Sequence, residues 1–152
     1  MATTLTASTL TVEVTETITL NGVARNSAVT TTIASIGEIS NRIMRVESDT
    51  NGTGIFDIAA TNPGPGTFSR GAFEYCRITN LDDTNFIVIQ FTDESTHHWE
   101  LSLEAGKTLM FGDVAGFDDQ SDIDAFSATH ITKCIAKADT ADCDIEVYVA
   151  TT

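Results

Sequence analysis

His97, His98 and Glu100 are the residues whose types and spacing first suggest chemistry. Imidazole and carboxylate groups are good metal ligands, and the alternation of a strand would place His98 and Glu100 on one face. A third ligand at a recognisable spacing is missing from this stretch, and His130 is remote in the chain. We therefore interpret these residues as the exposed polar face of a strand.

The acidic run Asp118–Asp124 is a second candidate site, because carboxylate oxygens are the ligands that Ca²⁺ prefers. It lacks the glycine and the terminal glutamate of the EF-hand pattern. A solvated acidic loop is therefore the main prediction, and bound Ca²⁺ is the alternative. No other cofactor is expected.

Catalytic patterns are missing from the sequence. No serine lies in a Gly-x-Ser-x-Gly elbow, no cysteine has a His at an expected spacing, and no glycine-rich loop leads from a strand into a helix. A glycosidase-type carboxylate pair stays open in so acidic a chain, but surplus Asp in loops usually forms a solvated surface. We expect that the protein is not an enzyme.

Alternating apolar residues predict that the chain is built from strands. Residues 10–20 place Leu, Val and Ile on one face and mainly Thr on the other, which predicts one buried and one wet face. Asn21-Gly22 is typical of a tight hairpin turn, and a second Thr-rich strand is predicted at 28–35. A short turn is expected next, followed by a strand at 42–47.

The remaining strands predict the fold class. Strands are expected at 72–79 and 85–92, in a hairpin over 99–111, and in an antiparallel pair formed by 129–137 and 144–150. A long irregular connection covers Ser48–Gly71, and an acidic loop covers 113–124. The prediction is an all-β, antiparallel, jelly-roll-like β-sandwich of about eight short strands. It forms one domain over 10–152, after a flexible or extended arm at 1–9.

Charge and cysteine usage restrict the partners and the compartment. Eight basic residues stand against 22 acidic ones, giving a net charge of -14, and the basic residues form no run. Such a field repels phosphate backbones and anionic membranes, so we expect no nucleic acid and no membrane as partners. Cys76, Cys134 and Cys143 have no paired short spacing, which predicts buried free thiols. The N-terminus lacks the features of a secretory leader.

Two motifs carry a family resemblance. The run RITNLDDTNF covers Arg77–Phe86, and LEAGK follows at Leu103–Lys107 after a further strand. Together they resemble segments of small virion proteins of tailed bacteriophages. Among these proteins, capsid decoration or cement proteins are small, all-β and oligomeric. The resemblance implies a protein that is made in the host cytoplasm, binds the outer capsid surface and stabilises it, and it brings no catalytic residues.

The implied partners are the phage major capsid protein and further copies of the chain, as a homotrimer by analogy or as a dimer. Residues 2–20 are nearly neutral and are predicted to lie against the shell or a neighbouring subunit, because extended Thr-rich backbone can add to a sheet edge. The Ser48–Gly71 connection is the other predicted contact. The candidate interface residues are Thr3, Thr4, Leu5, Thr6, Thr9, Thr11, Ile55, Phe56, Pro63 and Pro65.

Two other functions stay open. A tail or neck structural protein of the phage particle would share both the sandwich and the resemblance. A carbohydrate-binding β-sandwich module would need aromatic side chains on an exposed face. Trp99 is the single tryptophan, and its phase with Leu101 and Leu103 predicts that it lies in the core.

Overall fold

The computed structural model describes residues 6–49, 51–60, 64, 66–112, 115–118 and 128–152. The chain forms two compact units, one running to Glu38 and including Thr152, the other running from Ile39 to Thr151. The predicted boundary after residue 9 falls inside the first unit. Strands dominate the described residues, and none of their helices is long and apolar enough to cross a membrane.

The first unit contains a long β-hairpin, here called the ribbon (residues 8–36), and its turn is the one predicted. Its strands are β1 (Ser8–Glu16), β2 (Thr19–Leu20), β3 (Val23–Ala24) and β4 (Ser27–Ile36). Asn21 and Gly22 have φ values of 50° and 77°, as a two-residue hairpin turn requires. From the turn outward as far as Leu10 and Ile33, each residue pairs with the one that lies the same number of positions from the turn on the other strand. The turn therefore sets the register.

The second unit is a sandwich of two sheets, which confirms the predicted fold class. Its strands are β5 (Glu38–Val46), β6 (Thr53–Ala59), β7 (Thr67–Ser69), β8 (Phe73–Asn80), β9 (Ile87–Asp93), β10 (His98–Leu103), β11 (Thr108–Gly112), β12 (Ala115–Asp118), β13 (Ala128–Ala138) and β14 (Cys143–Thr151). One sheet has the order β10-β9-β13-β6-β7, with β12 paired to β13, and the other has the order β11-β8-β14-β5. Within the described residues β6 and β7 form a parallel pair, whereas the pairs β10–β9, β13–β9, β13–β6, β11–β8 and β14–β8 are antiparallel.

The core lies between the two sheets, and every second residue of a strand faces it. In β14, for example, Val147 and Val149 are buried and alternate with Tyr148, which is only half-buried. Aromatic rings join the sheets: the ring centroids of Phe56 and Phe73 are 5.5 Å apart, and those of Phe91 and Phe111 are 5.4 Å apart. Each pair takes one residue from each sheet, so these rings pack the sheets together.

Two predicted strand pairings are wrong because the chain crosses between the sheets. β10 pairs with β9 and β11 pairs with β8, so the turn Glu104–Lys107 joins the two sheets. In the same way β13 and β14, predicted as an antiparallel pair, lie in different sheets. Alternation predicts where a strand lies but not which strand it pairs with. A tight turn can connect two paired strands of one sheet or two strands of opposite sheets.

Three segment boundaries also differ from the prediction. The supposedly irregular connection Ser48–Gly71 contains β6 and β7, and Ile55 and Phe56 of β6 are core residues. β5 begins at Glu38 rather than after a turn, and the predicted acidic loop at 113–124 contains β12. The short strands were hidden by flanking glycines and acidic residues, which are typical of loops.

β9 is central, as predicted, with β10 and β13 on its two sides. Ile87 and Ile89 are fully buried, whereas Val88 on the opposite face is half-buried. Trp99 has the predicted phase, because its ring centroid lies 4.9 Å from that of Phe91, but the prediction that it lies in the core is wrong. It remains 40% exposed, since β10 is an edge strand.

The turn between β8 and β9 is held by Asn80 and Asp82. The buried Asn80 side chain donates hydrogen bonds to the carbonyl oxygens of Asn85 (2.9 Å) and Leu103 (3.1 Å). The Asp82 carboxylate accepts the backbone N–H groups of Asn85 (2.6 Å) and Thr84 (2.8 Å), which lowers the pKa of Asp82. The turn at residues 80–85 is therefore part of the framework that connects the two sheets.

Candidate interaction surface

The residues that first suggested metal chemistry lie on an exposed strand face. His98 and Glu100 are both exposed on β10, and the Glu100 carboxylate accepts a hydrogen bond from the Gln90 amide (2.6 Å). His97 contacts Asp93 instead, with 3.2 Å between the ring nitrogen Nδ1 and Oδ2. No group of three His, Cys, Asp or Glu residues in the described ranges is arranged to hold a metal ion. Beyond Asp118, the run Asp118–Asp124 lies outside those ranges.

A shallow cleft of about 290 Å³ lies on the outer face of the β9-containing sheet. Val88 and Ile135 contribute apolar surface, and Gln90, Glu100 and Lys137 contribute polar groups. The lining residues include no aromatic side chain on which a sugar ring could stack. The cleft therefore offers little support for carbohydrate binding.

The three cysteines are free and buried, which confirms the prediction from their spacing. Cys76 and Cys134 lie in the sandwich core, and burial raises the pKa of both thiols. The thiolate is the reactive form of cysteine, so these two side chains are chemically quiet at neutral pH.

No protein-family model, no curated protein and no solved structure matches this chain. The surfaces of the chain are therefore the evidence for its function, and the ribbon has an exposed apolar one.

Cross-strand pairing gives the ribbon one apolar and one polar face. Residues directly opposite each other in an antiparallel pair project to the same side. The apolar face includes the pairs Leu10–Ile33 and Val14–Val29, and the polar face includes the pairs Thr11–Thr32 and Glu13–Thr30. The predicted alternation is therefore present in three dimensions.

The prediction that the apolar face is buried is wrong. Val14 is 37% exposed and Val29 is 59% exposed, and at the turn Ile18, Leu20 and Val23 are each more than half exposed. A two-stranded hairpin is at best marginally stable in water, because it cannot cover its own apolar face. Clustered exposed apolar residues of this kind usually mark an interaction surface.

The ribbon is also the least charged long segment of an acidic protein. Residues 8–36 contain Glu13, Glu16 and Arg25 as their charged side chains, whereas the whole chain carries a net charge of -14. Glu13 projects from the polar face, opposite Thr30. Glu16, opposite Ser27, lies on the same face as Val14 and Val29, so the apolar face is uncharged from Leu10 to Val14 and carries one carboxylate next to Val14.

The predicted interface residues separate into three groups. Thr6, Thr9 and Thr11 are exposed at the start of the ribbon. Ile55 and Phe56 are 1% and 4% exposed, so their assignment to an interface was wrong: their side chains fill the core and cannot form a surface contact. The others, which lie outside the described residues, are Thr3, Thr4, Leu5, Pro63 and Pro65.

Sequence reasoning missed the second strand of this surface. Val29 and Ile33 complete the apolar face by pairing with Val14 and Leu10. The signal was available, because a two-residue turn at Asn21-Gly22 places residues at equal distances from it opposite each other. Folding the sequence about that turn would have identified the complete face.

Proposed function

We propose that this protein is a structural subunit of a tailed-phage virion that binds the outer surface of the capsid and stabilises it. The observation that carries the proposal is the uncovered apolar face of the ribbon, on which Val14 and Val29 are exposed. The resemblance of Arg77–Phe86 and Leu103–Lys107 to virion proteins supports this role. In this proposal the ribbon is the part of the chain that contacts the shell.

The ribbon suits attachment to a shell in two ways. Its apolar face loses contact with water when a shell protein covers it, and its Thr-rich strands can add to an exposed sheet edge. Covering the five most exposed apolar side chains contributes on the order of 5 kcal/mol, at about 1 kcal/mol for each half-exposed residue. One ribbon therefore binds weakly, and several ribbons in one homo-oligomer bind more tightly through avidity.

The charge of the protein supports a place on the outside of the head. A net charge of -14 is repelled by the phosphates of packaged DNA, whereas an outer surface faces water and counterions. In this arrangement the near-neutral ribbon faces the shell and the acidic remainder of the chain faces solvent.

Separating particles into heads and tails tests the proposal. Virions are disrupted, heads and tails are separated on a density gradient, and the chain is detected in each fraction by mass spectrometry. We expect it with the heads, and exposed to protease before the head is opened. Recovery with the tails would indicate a tail or neck structural protein, and absence from both fractions would contradict a virion role.

A further inference from the structure

Strand β5 is an edge of the four-stranded sheet, and no described strand pairs with its outer side. Val46 is buried and Met44 packs against the core, so Ile39 and Ile43 project from the opposite face of the strand. They are 53% and 69% exposed. Natural edge strands are usually protected by proline, by charged side chains or by their short length. This nine-residue strand contains no proline, and its acidic residue, Glu38, is its first residue and precedes the stretch from Ile39 to Ile43.

The two arginines of β5 do not protect this edge. Arg42 donates a hydrogen bond to the carbonyl oxygen of Ile55, which lies on β6 of the other sheet. Arg45 forms an ion pair with Asp144 of the neighbouring strand β14, at 3.3 Å between Nε and Oδ1. Both guanidinium groups are therefore held by the same chain, and the backbone edge is left open.

Charge indicates which partner this edge accepts. Copies of a chain with a net charge of -14 repel each other over most of their surface. On the outer face of this sheet, however, Arg45 pairs with Asp144, and Arg77 pairs with Glu146 at 2.7 Å. These paired charges cancel beside Ile39 and Ile43, so a second copy can approach here without strong repulsion.

We infer that β5 pairs antiparallel with β5 of a second copy, around a two-fold axis at Asn41. In that register Ile39 of one copy lies opposite Ile43 of the other, and the reverse, so four isoleucines meet on one face. The contact is isologous, since the same strand serves both copies, and it closes without leaving this edge free. The two four-stranded sheets become one continuous sheet of eight strands. The inference does not rest on capsid binding.

The contact is small, so the pair depends on concentration. In this register residues 38–44 of the two copies are paired over about 20 Å, and the strip on both copies covers roughly 500 Å² in total. That is less than a standard stable interface, although backbone hydrogen bonds add to it. We expect a dimer with a dissociation constant in the micromolar range, which strengthens when neighbouring copies are held on a surface.

A cysteine at the axis tests this register directly. The variant Asn41→Cys places the two new thiols opposite each other, at a Cα separation of about 4.5 to 5.5 Å, which is within the range of a disulfide. Asn41 is exposed, and the three native cysteines are buried. Oxidation of the purified variant at high concentration should therefore give a covalent dimer, twice the 16.3 kDa of one chain, on a non-reducing gel.

Thr108→Cys is the matched control, because Thr108 is exposed on β11 at the opposite edge of the same sheet. It should run as a single chain on the same non-reducing gel. Adding Ile43→Arg to Asn41→Cys should reduce cross-linking at least tenfold without changing the thermal melting curve, because Ile43 is exposed. The inference is overturned if Thr108→Cys links as efficiently as Asn41→Cys, or if the wild-type chain sediments as a monomer or a trimer at high concentration.

Discussion

Replacing Val29 by Asp perturbs the proposed capsid contact while leaving the fold nearly unchanged. Val29 is 59% exposed and lies opposite Val14 on the apolar face of the ribbon. A substitution at so exposed a position changes the free energy of unfolding by about 0.5 kcal/mol or less. The effect should therefore appear in binding rather than in folding.

The expected loss of binding has two parts. Covering the remaining exposed part of Val29 contributes about 1 kcal/mol, which the variant loses. Placing an unpaired carboxylate in the contact costs about 2 kcal/mol more after partial hydration. The sum, about 3 kcal/mol, corresponds to a roughly 100-fold increase in Kd.

Co-sedimentation with purified heads that lack the protein measures this Kd. Thr32→Asp is the matched control, because it adds the same charge to the same strand but projects from the polar face, opposite Thr11. We expect this control to bind within about threefold of the wild type, since a rim charge contributes little. Equal binding by Val29→Asp and the wild type would refute the ribbon contact. An equal loss in both variants would indicate a charge effect rather than a contact through the apolar face.

Three further predictions concern the fold. Asn80→Ala should lower the free energy of unfolding by about 3 kcal/mol in urea titrations, because it removes the amide donor from the buried Leu103 carbonyl and the partly buried Asn85 carbonyl. A loss below about 1 kcal/mol would contradict this. Asp82→Ala should lower Tm at neutral pH, and the difference from the wild type should disappear as the pH falls below 3.8. The pKa of Asp82 is lowered in the fold, so the ionised carboxylate stabilises the fold above its ordinary pKa of 3.8. This contribution is lost when the carboxylate is protonated. A Tm difference that persisted at pH 2 would argue against the carboxylate as its cause. Cys76 and Cys134 should resist a thiol reagent in the native protein and react fully in urea, since both are buried; rapid native labelling would show that the core opens.

The sequence allows the ribbon to be predicted in detail, because a two-residue turn sets the register of both strands. Asn21 and Gly22 adopt the positive φ values that the turn requires, and every pair as far as Leu10–Ile33 follows from it. Burial could not be predicted in the same way. Alternation shows that one face is apolar, but it does not show whether anything covers that face.

Strand pairing in the sandwich was less predictable than strand position. β10 and β11 lie close to where alternation placed them, but they belong to different sheets. The turn Glu104–Lys107 contains Gly106 at a φ of 67°, which permits a sharp reversal whether the next strand pairs alongside or crosses the core. Partners separated by many residues depend on packing between the sheets, and no local pattern encodes it.

The candidate surfaces were only partly predictable for a related reason. Thr6, Thr9 and Thr11 lie in an exposed segment, and their role in an interface stays a prediction. Ile55 and Phe56 were assigned to a loop because glycines flank them. The two side chains are 1% and 4% exposed, because β6 places them in the core. Apolar residues in a short strand between glycines have the same local pattern whether they form a loop contact or a core.

A cryo-electron microscopy map of the virion that contains this chain would test the central claim most directly. At a resolution that separates strands, the proposal predicts density for the two-sheet sandwich on the outer surface of the head. Val14 and Val29 of the ribbon should then lie against the major capsid protein. Density for the chain in the tail or neck, or on the head with the apolar face of the ribbon turned to solvent, would contradict it.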